Sequence, residues 1–435
     1  MFGIARPATR TSDTAADRPR RSARTTACVG LQMTTPELDR SYRALLVVPS
    51  IGRLLLGMYI SRVAQVMVAV AIVLFTLGAY HSPAIAGLAT FMSIFPGLLA
   101  SPIAGALLDR HGRTRLIVLD LLVALTSLVL LGVLALIGPV PVWLLLLICG
   151  VSSLTGPLSA TGLRSLFPII VPKHLWERVN ALDSNGYVVS SILGPPLAAG
   201  LVAGIGGPAT LIVIGLCFGL GAFVLARVPD PETDTHTTGS LLLDAWQGLV
   251  YTVRNPTLRA LGFTISLQNV MGGAITIVIP LIILDRLHQS EVLVGLVFAV
   301  QGVSGTVSAL FWGRLDSRGR ERLMLVVPIL ASAVLFSVLL WSTELVVLLA
   351  YMAISGVLLG PTDIALFTLR QRRTDPAWTG RAFAVSMTLN YVGIPVGSLI
   401  AGWLATQSID AAIALGVVAC FASGAIGALT IPREG

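Results

Sequence analysis

The chain has 435 residues, of which 55% are hydrophobic and 11% are charged, with a formal net charge of +8 and a mean hydropathy of +0.87. A soluble domain carries about 25% charged residues, so a soluble chain of this composition would lack the polar surface needed to cover itself. The composition excludes a soluble globular protein and predicts an all-α polytopic membrane protein.

Apolar stretches long enough to cross a hydrocarbon core of about 30 Å as helices follow one another along the chain. They predict twelve transmembrane helices, at roughly 54–78, 84–107, 116–138, 142–165, 179–204, 208–227, 258–284, 291–312, 322–341, 345–369, 382–405 and 409–430.

Polar segments divide these helices into two groups of six. Residues 1–50 are rich in Arg, Thr, Ser and Pro and predict a disordered cytoplasmic tail. Residues 51–227 form the first bundle, and 228–256 predict a cytoplasmic linker with an amphipathic segment lying on the membrane surface. Residues 257–430 form the second bundle, and 431–435 are the cytoplasmic C-terminus.

The distribution of basic residues predicts the orientation. Of the 29 basic residues, all but Arg62 and Arg286 lie in the tails, in the even-numbered loops or at the helix ends that adjoin them. Basic residues of membrane proteins are concentrated on the cytoplasmic side, so we expect both termini on the cytoplasmic side of the cell membrane. Because these residues are spread over many loops, the charge does not indicate a nucleic-acid partner.

One short motif occurs twice, once in each half of the chain. The first copy is Asp109-Arg-His-Gly112-Arg113-Thr-Arg115, and the second is Asp316-Ser-Arg-Gly319-Arg320-Glu-Arg322. The pairs Gly156-Pro157 with Gly360-Pro361 and Arg178 with Arg381 repeat at nearly the same spacing. Such a repeat predicts two pseudo-symmetric six-helix bundles related by an axis along the membrane normal.

Charged residues inside predicted helices are few, and they are candidates for function because they are costly in a membrane. Arg62 in helix 1 and Asp363 in helix 10 lie at similar depth, and we expect them to face each other. Asp363 would bind a coupling proton, with Arg62 adjusting its proton affinity or receiving substrate anions; the alternative is a permanent ion pair that fixes helix packing. Asp183 is an alternative partner for Arg62 or a cap of helix 5. Asp120 is expected to form a salt bridge with the first motif loop.

Uncharged polar residues in the predicted helices either line a cavity or form interhelical hydrogen bonds. They are Gln268 and Asn269 in helix 7, Asn185 and Tyr187 in helix 5, and Asn390 and Tyr391 in helix 11. A mostly apolar cavity with few polar groups suits lipophilic substrates better than sugars.

Other classes of function lack their characteristic residues. An ATP-driven pump needs a Gly-Lys-Ser/Thr loop, and the sole lysine, Lys173, follows a proline instead. The five histidines lie in loops without partner acids, and the four cysteines match no metal-ligand spacing. We therefore expect no metal, no cofactor and no enzymatic activity.

The first motif copy resembles the hallmark of the major facilitator superfamily. The residues that carry this resemblance are Gly105, Asp109, Arg110, Gly112, Arg113 and Arg115, with Asp316, Gly319 and Arg320 in the weaker second copy. The resemblance implies a twelve-helix transporter in which helices 1, 4, 7 and 10 line a central cavity. It also implies that Asp109 helps to hold the outward-facing state through contact with helix 11, and that Arg113 and Arg115 pair with acids or lipid head groups.

Helix 5 is similar to the antiporter motif of family exporters at Gly194, Pro195 and Gly200, and residues 166–182 resemble the macrolide-efflux and enterobactin-exporter branch. Related exporters often carry an acid in helix 1 where this chain has Gln65. The resemblance implies a monomer in the lipid bilayer that exports a lipophilic drug or secreted metabolite while protons move in the opposite direction. The alternatives are a proton-coupled uptake symporter for a small solute and a dedicated siderophore or metabolite exporter.

Overall fold

The computed structural model describes residues 39, 41–230, 241–342, 344–375 and 378–432. Within these ranges the regular structure is helical, and twelve helices are long and apolar enough to cross a membrane. The predicted fold class, an all-α polytopic membrane protein, is confirmed. Most of the predicted tail, part of the linker and most of the C-terminus lie outside the described residues.

The spanning helices, numbered α1 to α12, follow the predicted stretches closely. The first six are α1 Ile51–Tyr80, α2 Pro83–His111, α3 Arg113–Ile137, α4 Val142–Ile170, α5 Trp176–Ile205 and α6 Gly207–Leu225. The next six are α7 Pro256–Leu281, α8 Glu291–Trp312, α9 Glu321–Ser337, α10 Leu345–Arg373, α11 in two segments (Thr379–Tyr391 and Gly393–Ala405) and α12 Ile409–Thr430.

Local signals set the helix starts. Ser82 caps α2, which begins with Pro83, and the Asn255 side chain accepts hydrogen bonds from the backbone of Thr257 and Leu258 at the start of α7. These residue types satisfy the N–H groups that have no partner inside a helix, and proline suits the first helical position.

A short helix, Tyr42–Val47, precedes α1, where the sequence analysis expected disordered chain. Ser41 caps it, Leu45 is fully buried, and the guanidinium of Arg178 lies 5.6 Å from the ring centroid of Tyr42. The cap and these contacts with α5 and the core order residues that composition alone assigned to the tail.

A second surface helix, the linker helix, spans Leu241–Arg254. It contacts α2 of the first half and α11 of the second. The Tyr251 ring stacks on the Trp378 ring with centroids 5.0 Å apart, and the Tyr251 hydroxyl accepts a hydrogen bond from the backbone N–H of Asp375. The segment predicted to be amphipathic therefore packs across the α10–α11 loop.

Each half has its own apolar core, one formed mainly by α1 to α6 and the other mainly by α7 to α12. At one end of the molecule, here called the basic end, the connections between helices lie at 112, 171–175, 226–255, 313–320 and 374–378. At the other end, here called the short-loop end, the connections lie at 81–82, 138–141, 206, 287–290, 341–344 and 406–408.

The two halves meet closely at the short-loop end. A Cβ at Gly295 of α8 would lie 2.6 Å from the carbonyl oxygen of Pro195 in α5, and one at Gly402 of α11 would lie 2.6 Å from that of Pro83 in α2. An apolar cluster from both halves closes the same end; it consists of Val73, Leu77, Ala86, Ile277 and Leu281. Small residues allow this backbone contact between helices.

Candidate functional site

The structure places Arg62 of α1 against Asp183 of α5. Arg62 Nη2 lies 2.5 Å from Asp183 Oδ1, and Arg62 Nη1 donates to the Asp183 backbone oxygen at 2.7 Å. Both side chains are buried, with 6% and 8% of their surface exposed. Gly186 makes room, because a Cβ there would lie 2.9 Å from Arg62 Nη1.

This contact corrects the expectation that Arg62 faces Asp363. The partner of Arg62 is Asp183, which was the alternative considered from the sequence, and Asp183 lies within α5 rather than capping it. Depth along a helix follows from its rise per residue, whereas the direction in which a side chain points depends on neighbouring helices.

Asp183 has a second cationic partner, Arg164 of α4. Arg164 Nε donates to Asp183 Oδ2 at 3.1 Å, and 55% of the Arg164 side chain is exposed. The guanidinium carbons of Arg62 and Arg164 lie 3.9 and 4.7 Å from the ring centroid of Tyr187. We call Arg62, Arg164, Asp183 and Tyr187 the N-half cluster; its formal charge is +1.

The sequence analysis did not select Arg164, because its predicted helix ended at 165. In the structure α4 continues to Ile170, which places Arg164 about 9 Å inside the helix end. A helix boundary set a few residues further on would have added Arg164 to the charged residues recognised inside membrane-spanning segments.

Asp363 of α10 lies on the opposite wall. Its side chain is exposed, yet protein surrounds it on most sides, as expected for a residue that lines an opening between the two halves. Among the described residues none forms a salt bridge with it. Tyr391 of α11 lies within electrostatic range of Asp363, Tyr187 and Arg164, so the two walls face each other.

Two exposed tyrosines that approach each other across the halves lead us to infer an opening between the halves. Tyr187 is 43% exposed and Tyr391 is 49% exposed, and both belong to the parts of α5 and α11 nearer the basic end. Because the halves touch at the short-loop end, the opening leads to the basic end.

Some of the remaining polar candidates form hydrogen bonds with other residues of the protein, whereas Gln65 is exposed and has no such bond among the described residues. Asn269 Nδ2 donates to the Asn390 backbone oxygen at 2.8 Å, and Asn185 Oδ1 accepts from the Tyr59 hydroxyl at 2.9 Å. Asn390 itself is almost fully buried. Gln65 is exposed on α1, about one turn from Arg62.

Asp120 differs from its expected role. It is buried in α3 near the Thr155 and Ser159 hydroxyls of α4, and no described residue forms a salt bridge with it. The expected salt bridge with the motif loop is therefore not formed among the described residues.

The first motif loop is held by Asp230, which follows α6. Asp230 Oδ1 accepts from the Thr114 backbone N–H at 3.1 Å, and Asp230 Oδ2 lies 3.8 Å from Arg115 Nε. Gly112 has φ +93°, and a Cβ there would collide with the Asp230 carboxylate. An anion at a helix N-terminus is favoured by the free N–H groups and the helix dipole.

Other residues of this motif make different contacts. Arg113 Nη1 donates to the Ser165 backbone oxygen at 2.8 Å, while Arg110 is exposed. The side chain of Asp109 lies outside the described residues. Asp230 was missed because it stands far from the motif in a polar segment, where nothing in one sequence indicates which loop it approaches.

The second motif loop is more exposed. Asp316 Oδ1 accepts from the Arg318 backbone N–H at 3.0 Å, and Gly319 has φ +73°. The Arg322 guanidinium donates to the Ala428 carbonyl of α12, and Arg372 of α10 pairs with Glu321. Arg320 is exposed.

The antiporter-like motif in α5 contacts both halves. A Cβ at Gly194 would lie 2.7 Å from Val66 Cγ1 in α1, whereas Pro195 contacts Gly295 of α8. Gly200 faces open space, so packing does not require glycine there. No group of three metal-ligating side chains occurs within the described ranges.

The chain is similar to curated transporters over most of its length. It is 36% identical to the uncharacterized MFS-type transporter y4rN of Sinorhizobium fredii, over 92% of this chain and 98% of that protein. It is 24% identical to the multidrug efflux pump Tap of Mycolicibacterium fortuitum (74% and 80%) and 19% identical to macrolide efflux protein A of Streptococcus pyogenes (81% and 88%).

Two solved structures share the fold. The nucleoside transporter NupG superposes with a TM-score of 0.72 at 12% identity, covering 86% of this chain and 98% of that one. A bacterial homologue of the human lysosomal transporter Spinster, in an inward-facing and unoccupied conformation, gives 0.68 at 14% identity, covering 91% and 99%. The Major Facilitator Superfamily model matches residues 54–276 and 260–435, and the chain therefore belongs to this superfamily of membrane transporters.

Proposed function

We propose that this transporter exports a lipophilic compound across the cell membrane in exchange for protons. The observation that carries this proposal is the Asp363 carboxylate, which lines the opening between the halves opposite the N-half cluster. A carboxylate within a spanning segment is costly unless it binds a cation, and here the proton or the substrate supplies one.

Alternating access gives this carboxylate its coupling role. In the present conformation Asp363 communicates with the basic end, while Gly295 and Gly402 hold the halves together at the short-loop end. Rocking the halves would expose the same residue to the opposite side. Exchange then requires only that proton and substrate bind the two conformations with different affinities and compete for the site.

The direction of transport and the orientation rest on separate arguments. Two relatives carry names of efflux pumps, which favours export. We propose that the basic end, with both termini, lies in the cytoplasm and that the protein is a multi-pass protein of the cell membrane, because basic residues favour the cytoplasmic side. We propose that the protein acts as a monomer and that Asp109 contributes to the gate at that end, as its family motif implies.

Efflux from cells tests the proposal directly. Cells that express the protein are loaded with fluorescent lipophilic cations, anions and zwitterions and with macrolides, with and without a protonophore, beside Asp109→Asn. We expect lower accumulation that the protonophore reverses and that the variant lacks. Higher accumulation would indicate uptake, and full activity of Asp109→Asn would contradict its gate role.

The coupling role of Asp363 predicts the effect of Asp363→Asn. This variant should fold normally and lose the dependence of transport on the pH gradient, because the amide cannot exchange a proton. Transport is measured in proteoliposomes with an imposed pH gradient. Asp410→Asn is the matched control, since Asp410 pairs with Arg286 near the short-loop end. An unchanged gradient dependence would return Asp363 to a packing role.

A further inference from the structure

Only one of the three nitrogens of the Arg164 guanidinium forms a hydrogen bond with a described residue. Its Nε donates to Asp183, and no described residue accepts a hydrogen bond from Nη1 or Nη2. More than half of the side chain is exposed, on the wall of the opening. Two parallel N–H groups of a guanidinium form a fork that matches a carboxylate or another planar oxyanion.

Among the described residues, no carboxylate oxygen pairs with the two terminal nitrogens of Arg164. Arg62 engages Asp183 through both of its terminal nitrogens, and the two carboxylate oxygens of Asp183 are divided between Arg62 and Arg164. The sequence analysis considered Arg62 as the receiver of substrate anions. In the structure Arg62 is buried in its ion pair, and Arg164 is the arginine that faces the opening.

The opposite wall carries the complementary charge. Asp363 has no salt-bridge partner among the described residues, and it does not pair with Arg164 in this conformation. Tyr391 of α11 lies within electrostatic range of both charges and is 49% exposed, and Phe367, about one helical turn beyond Asp363 on α10, is 36% exposed. The opening therefore combines a positive pole, a negative pole and apolar surface.

We propose that the substrate is a lipophilic zwitterion, whose carboxylate or similar oxyanion binds Arg164 and whose ammonium group binds Asp363. This assignment rests on the proposed function, since it treats the opening as the transport site. The ammonium group competes with the proton at Asp363, as exchange requires. Arg164 selects for the oxyanion of the substrate and discriminates against lipophilic cations that lack an oxyanion.

Equilibrium binding to the protein in lipid nanodiscs, without any ion gradient, tests the assignment independently of transport. The probes are 4′-(aminomethyl)biphenyl-4-carboxylate, its methyl ester, its N-acetyl derivative and the derivative that carries both caps. We expect the zwitterion to bind at least about tenfold more tightly than either singly capped probe, as for loss of one charge-assisted contact.

Two variants separate the poles. Arg164→Gln should abolish the preference for the zwitterion over its methyl ester and keep the preference over the N-acetyl derivative; Asp363→Asn should do the reverse. Arg164→Lys, which keeps the charge and loses the fork, should retain part of the first preference. Arg286→Gln, at a surface ion pair near the short-loop end, should match the unmodified protein.

Three results would overturn the proposal. Equal binding of the zwitterion and its ester would remove the role of Arg164. Loss of both preferences in both variants would mean that Arg164 and Asp363 act on each other rather than on the ligand. Failure of all four probes to bind would exclude this substrate class, while the efflux measurement would still decide whether the protein is an exporter.

Discussion

The two halves of the molecule build the same helix crossing with different chemistry. In the first half, α5 crosses α1 where Gly194 meets Val66, and in the second, α11 crosses α7 where Gly397 meets Val270. A glycine is thus repeated at both crossings, against the Val66 side chain in the first half and the Val270 backbone in the second. The first crossing carries the buried ion pair of Arg62 and Asp183, and the second carries an amide hydrogen bond.

This difference separates what the fold requires from what function adds. In the second half, α7 and α11 themselves contribute neutral residues to the crossing, and the buried Arg370 of α10 adjoins the Asn390 side chain. The pairing of two opposite charges across the crossing is therefore specific to the first half. Buried ion pairs are weak evidence for stability, because their desolvation offsets much of their attraction. We infer that the charges of the first half are kept for transport.

Asp183→Asn should produce the largest effect. It leaves the buried Arg62 guanidinium without its counter-ion. Removing one partner of a buried ion pair lowers the free energy of unfolding by about 3–5 kcal/mol. The free energy of unfolding is measured by denaturant titration in mixed micelles, with transport measured alongside. Ser386→Ala is the matched control in the second half, at the same spacing from the aligned arginine. Because the buried Ser386 hydroxyl has no hydrogen-bond partner among the residues that the structure describes, this control should be nearly neutral.

The double variant Arg62→Met with Asp183→Leu sharpens that result. Replacing both partners by apolar side chains should restore most of the lost stability, because such replacements are often neutral or stabilising. Transport should remain absent if the charges serve function. Normal transport by the double variant would show that the pair only holds the helices together.

The two motif loops give the next comparison, through Gly112→Ala and Gly319→Ala. Gly112 has φ +93° and ψ 130°, a conformation nearly confined to glycine, and the new methyl group would displace Asp230 from the start of α3. We expect Gly112→Ala to lower the free energy of unfolding by about 2–3 kcal/mol. At Gly319, in a left-handed conformation, the loss should be about 1 kcal/mol. Thermal unfolding of the purified variants in detergent checks both, and equal losses would contradict the role of Asp230.

The sequence was sufficient for the elements of the fold and insufficient for the partners within the site. The helices were predictable because a membrane span needs about twenty apolar residues, and α8 and α12 begin and end where their apolar stretches do. The similar depth expected for Arg62 and Asp363 rests on the rise per residue and stays a prediction.

Partners depend on which helices adjoin and how each is rotated, and one sequence does not contain that information. Asp183 became the partner of Arg62 because α1 lies beside α5 with Gly186 at the contact. Asp230 reached the first motif loop because α6 ends beside the start of α3. Both are contacts between residues far apart in the chain, so no local pattern indicates them.

Asn269→Ala should have the smallest effect and completes the comparison of the two crossings. It removes the hydrogen bond to the Asn390 backbone oxygen, and interhelical hydrogen bonds in membranes contribute about 0.6 kcal/mol on average. Unfolding free energy and transport are measured as for Asp183→Asn, with Asn185→Ala, which loses its bond to Tyr59, as the counterpart in the first half. We expect a small loss of stability and near-normal transport, because the bond that is lost joins two neutral groups and no ion pair is broken. Abolished transport in a stable Asn269→Ala protein would instead make Asn269 part of the substrate site and extend that site into the second half.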